Sequence, residues 1–340
     1  MCSNKTPNPN VWQTLFELAR IELGLPDDRI AAHPSDLIAF DSFYKFNYGG
    51  LGYVSYQHYF YYLTIFKAGN DQIRHNLNDI FKSGGGYVED RNAISDLFSS
   101  SAIQKTEPVD KVCVVTVVRD PIEHFLSAYN EIEYRKEEKK RGGQTTLLDE
   151  TLPPYARHEN GTIARFEQFV TDLIGGPRSA GMFDGYTKWG VQEITHVFSM
   201  TGILWGLKRL QGCPGKDVAP NLTSYLPSLT NLDTEFPKLL NETCSGLPPF
   251  ESFKERIVHA SQSDKFNFYS AAKQAWKHQG NVSRALCAIH ALDYACFDDI
   301  PVPTLCQEVY SKPHFQHKVL HDMRIGKQMT LDPCGKGNFP

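Results

Sequence analysis

Twice along this chain an apolar run ends in a basic side chain and gives way at once to a helix-forming stretch. Residues 56–66, YQHYFYYLTIF, are rich in aromatic and β-branched types, which predicts a buried strand; Lys67 follows immediately. Residues 70–82 then carry Ile73, Leu77, Ile80 and Phe81 at helical spacing, and Gly84 to Gly86 close that helix. Val112 to Val118 reads as a second buried strand. It ends in Arg119-Asp120, and Pro121 opens a helix to Tyr134 with Phe125, Ala128 and Tyr129 on one face. Two such units predict an α/β fold: a central parallel sheet flanked by helices, with ligands at the carboxyl ends of its strands.

The remaining pattern is weaker. Residues 11–25 have helical spacing and stop at Pro26. Residues 134–150 read as a solvated helix end followed by a loop, and 165–174 as a short helix broken by Gly175, Gly176 and Pro177. Residues 227–249 hold several prolines and are expected to connect to a helix beginning near Phe250. Residues 268–292 form the longest late helical stretch, and the last 40 residues are rich in Cys, Pro and His.

Charge and cysteines bound the partners and the compartment. A formal net charge of −4 disfavours nucleic acid or an anionic membrane bound through the overall field, while leaving room for a local anion site. No apolar run approaches a membrane span, so membrane attachment would need an anchor that this sequence does not contain. Five Asn-x-Ser/Thr sequons, at Asn4, Asn160, Asn221, Asn241 and Asn281, point to a lumenal history. So does the grouping of Cys287, Cys296, Cys306 and Cys334 near the end of the chain, which suits disulfides better than zinc. Cys113, inside the apolar strand, reads as a buried free thiol.

Both strand-to-helix turns carry anion chemistry. In FKAGNDQIRHNL, residues 66–77, the small Ala68 and Gly69 allow close backbone approach, and Asn70 or Asp71 is a natural N-cap. The free N–H groups of that helix start, with the charge of Lys67, form an anion site. The turn is not a Walker A loop, because no Gly-Lys-Ser/Thr ending follows. In VVRDPIEHFLSAY, residues 117–129, Arg119 and Ser127 together suit a phosphate monoester. Each turn also has an ordinary reading, as a capped helix start and as an Arg119-Asp120 ion pair.

The run Arg-Asp-Pro followed by Ser127-Ala128-Tyr129 resembles the 3′-phosphate motif of Golgi carbohydrate sulfotransferases, and FKAGNDQIRHNL resembles their 5′-phosphosulfate loop. SYLPSLTNLDTEFPKLL (224–240) and ALDYACFDDIPVPTLC (291–306) are similar to later blocks of that family, so the likeness spans about residues 60–306. It implies a P-loop-like three-layer fold, with a sulfotransferase domain over 56–306, an N-terminal helical or irregular segment over 1–55 and a Cys/Pro-rich tail over 307–340. It implies sulfuryl transfer from 3′-phosphoadenylyl sulfate (PAPS) to a glycan or other hydroxyl acceptor in the Golgi. Lys67, Ala68, Gly69, Asn70, Asp71 and Gln72 would hold the 5′ end, and Arg119 and Ser127 the 3′-phosphate. Lys67 would also aid the leaving oxygen. No metal takes part.

His196 and His124 are the candidates for the base, each with packing or surface exposure as its plainer reading. His290 is expected in the core, and His314, His317 and His321 are spaced like one helical face, expected to be solvated, with metal binding as the alternative. The family pattern is not complete: His124 stands where Arg is common, Asn70-Asp71 replaces small hydroxyl residues, and Pro227-Ser228 and Thr230 depart from the fourth block. A non-catalytic protein of the same type, binding nucleotide or glycan without turnover, is the alternative.

Overall fold

In the computed structural model, residues 10–25, 52–65, 67–88, 112–141, 157–175, 197, 199–201, 222–250, 252–254, 264–297 and 299–318 are described. They form a mixed α/β fold around one five-stranded sheet, ordered β3-β1-β2-β4-β5. The strands are β1 (Gly52–Ser55), β2 (Phe60–Leu63), β3 (Gly86–Val88), β4 (Cys113–Val117) and β5 (Ser224–Leu226). β1, β2 and β4 are buried along their whole lengths, as continuous apolar strands require.

The sheet is mixed rather than parallel throughout. β2 pairs parallel with β4, and β4 with β5, whereas β1 lies antiparallel between β3 and β2. The reason is a hairpin where one strand was expected. Residues 56–59 turn the chain between β1 and β2, with Ser55 opposite Phe60 and Gly52 opposite Leu63. Tyr59 takes the left-handed φ of 47° that the reversal needs. A Cβ at Gly52 would lie 2.1 Å from the Tyr62 carbonyl oxygen and 2.5 Å from the Tyr61 ring, so the pairing needs glycine there. Gly86, expected to close a helix, begins β3.

The helices are α1 (Asn10–Glu22), α2 (Asn70–Phe81), α3 (Pro121–Arg141), α4 (Ile163–Gly175), α5 (Leu232–Thr243), α6 (Phe268–Lys277), α7 (Asn281–Ile289), α8 (Ala291–Cys296) and α9 (Thr304–Ser311). α1 packs mainly on α7, and α6 on both α3 and α4. Rings join the latter three: Tyr129 lies 4.9 Å from Phe166, 4.9 Å from Phe169 and 6.2 Å from Phe268. β1, within the segment 1–55, is hydrogen-bonded into the sheet, and α9 runs from residue 304 past the boundary at 307.

Two further expectations are corrected. Residues 227–249 are not a plain connector, because they contain α5. Its internal Pro237 cannot bond the Asp233 carbonyl, and the Phe253 N–H takes that acceptor at 3.0 Å. Phe250 begins no helix; residues 247–250 and 252–254 are irregular. Residues 268–292 are three helices, not one. Gln279, at φ 52°, interrupts them, and the Ser283 hydroxyl donates to the end carbonyls Ala275 (3.2 Å) and Trp276 (3.1 Å).

Cys113 is not a free thiol. It is disulfide-bonded to Cys244, 131 residues away, and Cys287 is bonded to Cys306 across 19 residues. The first bridge fastens β4 to the end of α5, and the second fastens α7 to α9. No helix among the described residues is long and apolar enough to cross a membrane.

Candidate anion site at the ends of β2 and β4

β2 and β4 are parallel neighbours, and the chain leaves them in opposite directions. From β2 it passes through α2 to β3, beyond β1; from β4 it passes through α3 and α4 to β5 on the other side. Adjacent strands whose connections diverge leave a crevice at their carboxyl ends. Lys67 follows β2 there, and Arg119 follows β4.

The two turns touch. Arg119 Nη1 donates to the Lys67 carbonyl oxygen at 3.2 Å. Lys67 sits at φ 62°, a left-handed conformation costly for a side chain with a Cβ. Its ammonium lies 2.7 Å from Glu131 Oε2, and Arg135 Nε lies 2.6 Å from Glu131 Oε1. Burial lowers the Lys67 pKa against the opposing pull of Glu131. Burial alone would raise the Glu131 pKa, but Lys67 and Arg135 outweigh it and hold that carboxyl at about 2.

Position in sequence explains the assembly on α3. Arg119, Glu123, Ser127, Glu131 and Arg135 recur every fourth residue, so they form one stripe along the helix and its approach. Ser127 is half-buried, one turn from each glutamate, and its hydroxyl makes no hydrogen bond among the described residues. Asp120 does not pair with Arg119 as a structural reading would have it. One of its oxygens accepts from the Glu123 N–H at 2.8 Å, capping α3, and the other accepts from the Tyr294 hydroxyl at 2.8 Å.

The first turn departs from expectation in detail. The N-cap of α2 is Gly69 (φ 73°), not Asn70 or Asp71. A Cβ at Gly69 would meet Leu232 at 2.9 Å and Leu229 at 3.2 Å, so protein side chains fill the space beside it. Asn70 braces the turn from within: its amide donates to the Ile65 carbonyl at 2.7 Å, and its oxygen accepts from the Tyr62 hydroxyl at 2.6 Å. The Ala68 N–H is spent on the Ile65 carbonyl at 3.2 Å. Ile73 makes the first intrahelical bond, to Gly69, which places the N–H groups of Asn70, Asp71 and Gln72 at the start of α2, outside its hydrogen-bond ladder. Donors at a helix start, beside one lysine and one arginine, suit an anion.

The chain, searched against protein-family models, curated proteins and solved structures, matches none of them.

Sequence reasoning missed the second half of the cluster. Tyr269 and Lys273, one turn apart on α6, reach Glu123: the Tyr269 hydroxyl donates to its Oε2, and the Lys273 ammonium lies 3.6 Å from its Oε1. Arg119 Nη2 lies 3.7 Å from the same carboxylate. Burial and the neighbouring Glu123 push the Tyr269 pKa up to about 12, so the phenol stays protonated. Glu123 and Glu131 were missed as well, though their fourfold spacing from Arg119 and Ser127 is a signal that could have found them; nothing local points to α6, because that contact spans 146 residues.

The histidines fall elsewhere. His124 is fully buried, which leaves it no path to an acceptor. His196 and His321 lie outside the described residues. His290 is in the core, 2.9 Å from Asp293, whose other oxygen accepts from the Ser199 hydroxyl and the Thr201 N–H. Burial opposes the charge on Asp293, and those partners still hold its pKa low. His314 lies 3.6 Å from Glu22.

Proposed function

We propose that this chain transfers a sulfuryl group from PAPS to a hydroxyl, with a glycan as acceptor, on a P-loop-like α/β framework in an oxidising lumen. The observation that carries the reading is the 3.2 Å bond from Arg119 to the Lys67 carbonyl. It brings the two turns of the sulfotransferase resemblance to one crevice, where one nucleotide can span both. The Tyr294 hydroxyl bond to Asp120 and the Tyr225 hydroxyl bond to Asp299, both at 2.8 Å, likewise join segments that the resemblance picks out far apart in sequence.

PAPS supplies the activated sulfuryl group and, in adenosine 3′,5′-bisphosphate, a stable leaving group. The N–H groups of Asn70, Asp71 and Gln72 hold its 5′ end, and Arg119 with Ser127 holds the 3′-phosphate. The Ala68 N–H is already bonded to Ile65 and the space beside Gly69 is filled by Leu229 and Leu232, so these two residues shape the turn. Charge builds on the bridging oxygen as the S–O bond breaks, and Lys67 is the group that can donate a proton or hydrogen bond there. Glu131 keeps that amine charged in its half-buried turn. The acceptor's base has no assigned residue.

A second reading has its own observation. Glu131 and Glu123 already face the cations of the site, an arrangement that suits nucleotide binding without turnover. Incubation with sulfur-35-labelled PAPS and a mixture of glycans separates the two. Labelled glycan supports transfer; nucleotide binding without labelled product supports the binder; neither would reject both. Arg119→Ala should weaken PAPS by about 1.5–3 kcal/mol, the scale of a charged hydrogen-bond partner. Unchanged affinity removes the 3′-phosphate assignment.

A further inference from the structure

We infer that Tyr269 and Lys273 of α6 form a third wall of the anion site, and that Glu123 occupies the place of the ligand's 3′-phosphate until nucleotide arrives. The inference rests on the sulfotransferase reading and extends it to residues outside either motif.

Distances separate the two glutamates. Glu131 is clamped, with Lys67 at 2.7 Å and Arg135 at 2.6 Å. Glu123 stands between Arg119 at 3.7 Å and Lys273 at 3.6 Å, beyond direct hydrogen-bond reach of both. Among the described residues, only the Tyr269 hydroxyl bonds its carboxylate closely. Two cations and a phenol therefore converge on one carboxylate that satisfies the cations poorly. A phosphate monoester carries more charge and more acceptor oxygens than a carboxylate, and it can bond both cations at once. Ser127 lies one turn along α3 from Glu123, on the same stripe.

The wall is built to hold its position. Asp264 accepts from the Tyr269 N–H at 2.9 Å and from the Ser270 hydroxyl, which fixes the start of α6. The Lys273 ammonium also lies 5.5 Å from the centre of the Tyr269 ring, within cation–π range. Binding would turn Glu123 out of the space between Arg119 and Lys273, leaving both to the phosphate.

The test compares adenosine 3′,5′-bisphosphate with adenosine 5′-phosphosulfate, which lacks the 3′-phosphate, by titration calorimetry. Lys273→Ala should weaken the bisphosphate about ten-fold and leave the phosphosulfate unchanged. Lys273→Arg should retain most of the affinity. Glu123→Gln removes the competing charge while keeping an acceptor for Tyr269, so it should tighten the bisphosphate by about two- to five-fold. Lys273 is 45% exposed, so its truncation leaves the core intact, and a thermal melt checks this. Equal weakening of both nucleotides by Lys273→Ala, or none, overturns the inference. Should Arg119→Ala lose the bisphosphate while Lys273→Ala keeps it, only the third wall falls. Wild-type protein that binds neither nucleotide removes the sulfotransferase reading and this inference with it.

Discussion

Lys67 occupies a backbone conformation that a lysine resists, and it delivers its amine to Glu131. Strain of this kind persists where the surroundings over-determine it. Here they do: Arg119 holds the Lys67 carbonyl, and Glu131 holds the ammonium. The pair makes the turn sensitive to acid. Glu131 is held at about 2, below its usual 4.5, so its stabilising contribution is present above pH 4.5 and lost as pH falls toward 2. Lys67 works in the opposite sense, since its lowered pKa makes its charge a cost at neutral pH, and the net gain is less than Glu131 alone would provide. Glu131→Gln should destabilise the fold by about 1–3 kcal/mol at pH 7, with the gap to wild type closing toward pH 2. Urea denaturation across that range measures it; a gap independent of pH would show that the carboxylate charge is not the cause. Lys67, Arg119 and Ser127 were legible in the sequence because each stands at a fixed offset from a strand end or a helix start. Tyr269 and Lys273 were not, because only tertiary packing brings α6 to Glu123.

Among the elements, α3 organises the site, and its opposite side is tied down by a buried ion pair. Glu133, fully buried, faces Arg165 of α4: Arg165 Nη2 lies 2.6 Å from Oε2, while Arg165 Nη1 donates to the His158 carbonyl at 2.8 Å. Breaking one side leaves a buried charge, so Arg165→Met should cost about 3–5 kcal/mol, and adding Glu133→Leu should recover much of the loss. Chemical denaturation of the single and double variants decides; additive losses would mean that the pair is not coupled. Elements were legible in proportion to their local signals. α2, β4 and α3 follow the apolar periodicity closely. The β1–β2 hairpin was hidden because YQHY carries strand-forming aromatics through a turn without Gly, Pro, Asn or Asp. α5 was hidden by Pro237, whose damage to the helix is repaired by Phe253, a residue 16 positions later.

At the scale of the whole molecule, the bridges and the surface sequons carry the proposed compartment together. A cross-link closing 131 residues, between strand and helix, is a feature of proteins that fold where thiols oxidise. The glycosylation triplets are then accessible as the chain is made, and the folded surface must leave each modified asparagine open. Asn160, in the turn before α4, Asn241, in the last turn of α5, and Asn281, at the start of α7, are all exposed. At Asn281 the hydroxyl of the triplet, Ser283, is buried and bonded to α6 in the finished fold. That is no obstacle to a glycan added before α7 docks. Expressed through a secretory pathway, the protein should carry glycan at all three positions. Enzymatic removal of N-glycans should raise its electrophoretic mobility, and Asn160→Gln, Asn241→Gln and Asn281→Gln should each remove one step of that shift. Unchanged mobility after deglycosylation would contradict the lumenal setting, and with it the supply of PAPS to a glycan acceptor there. It would leave the proposed nucleotide site at the ends of β2 and β4 to be judged on binding alone.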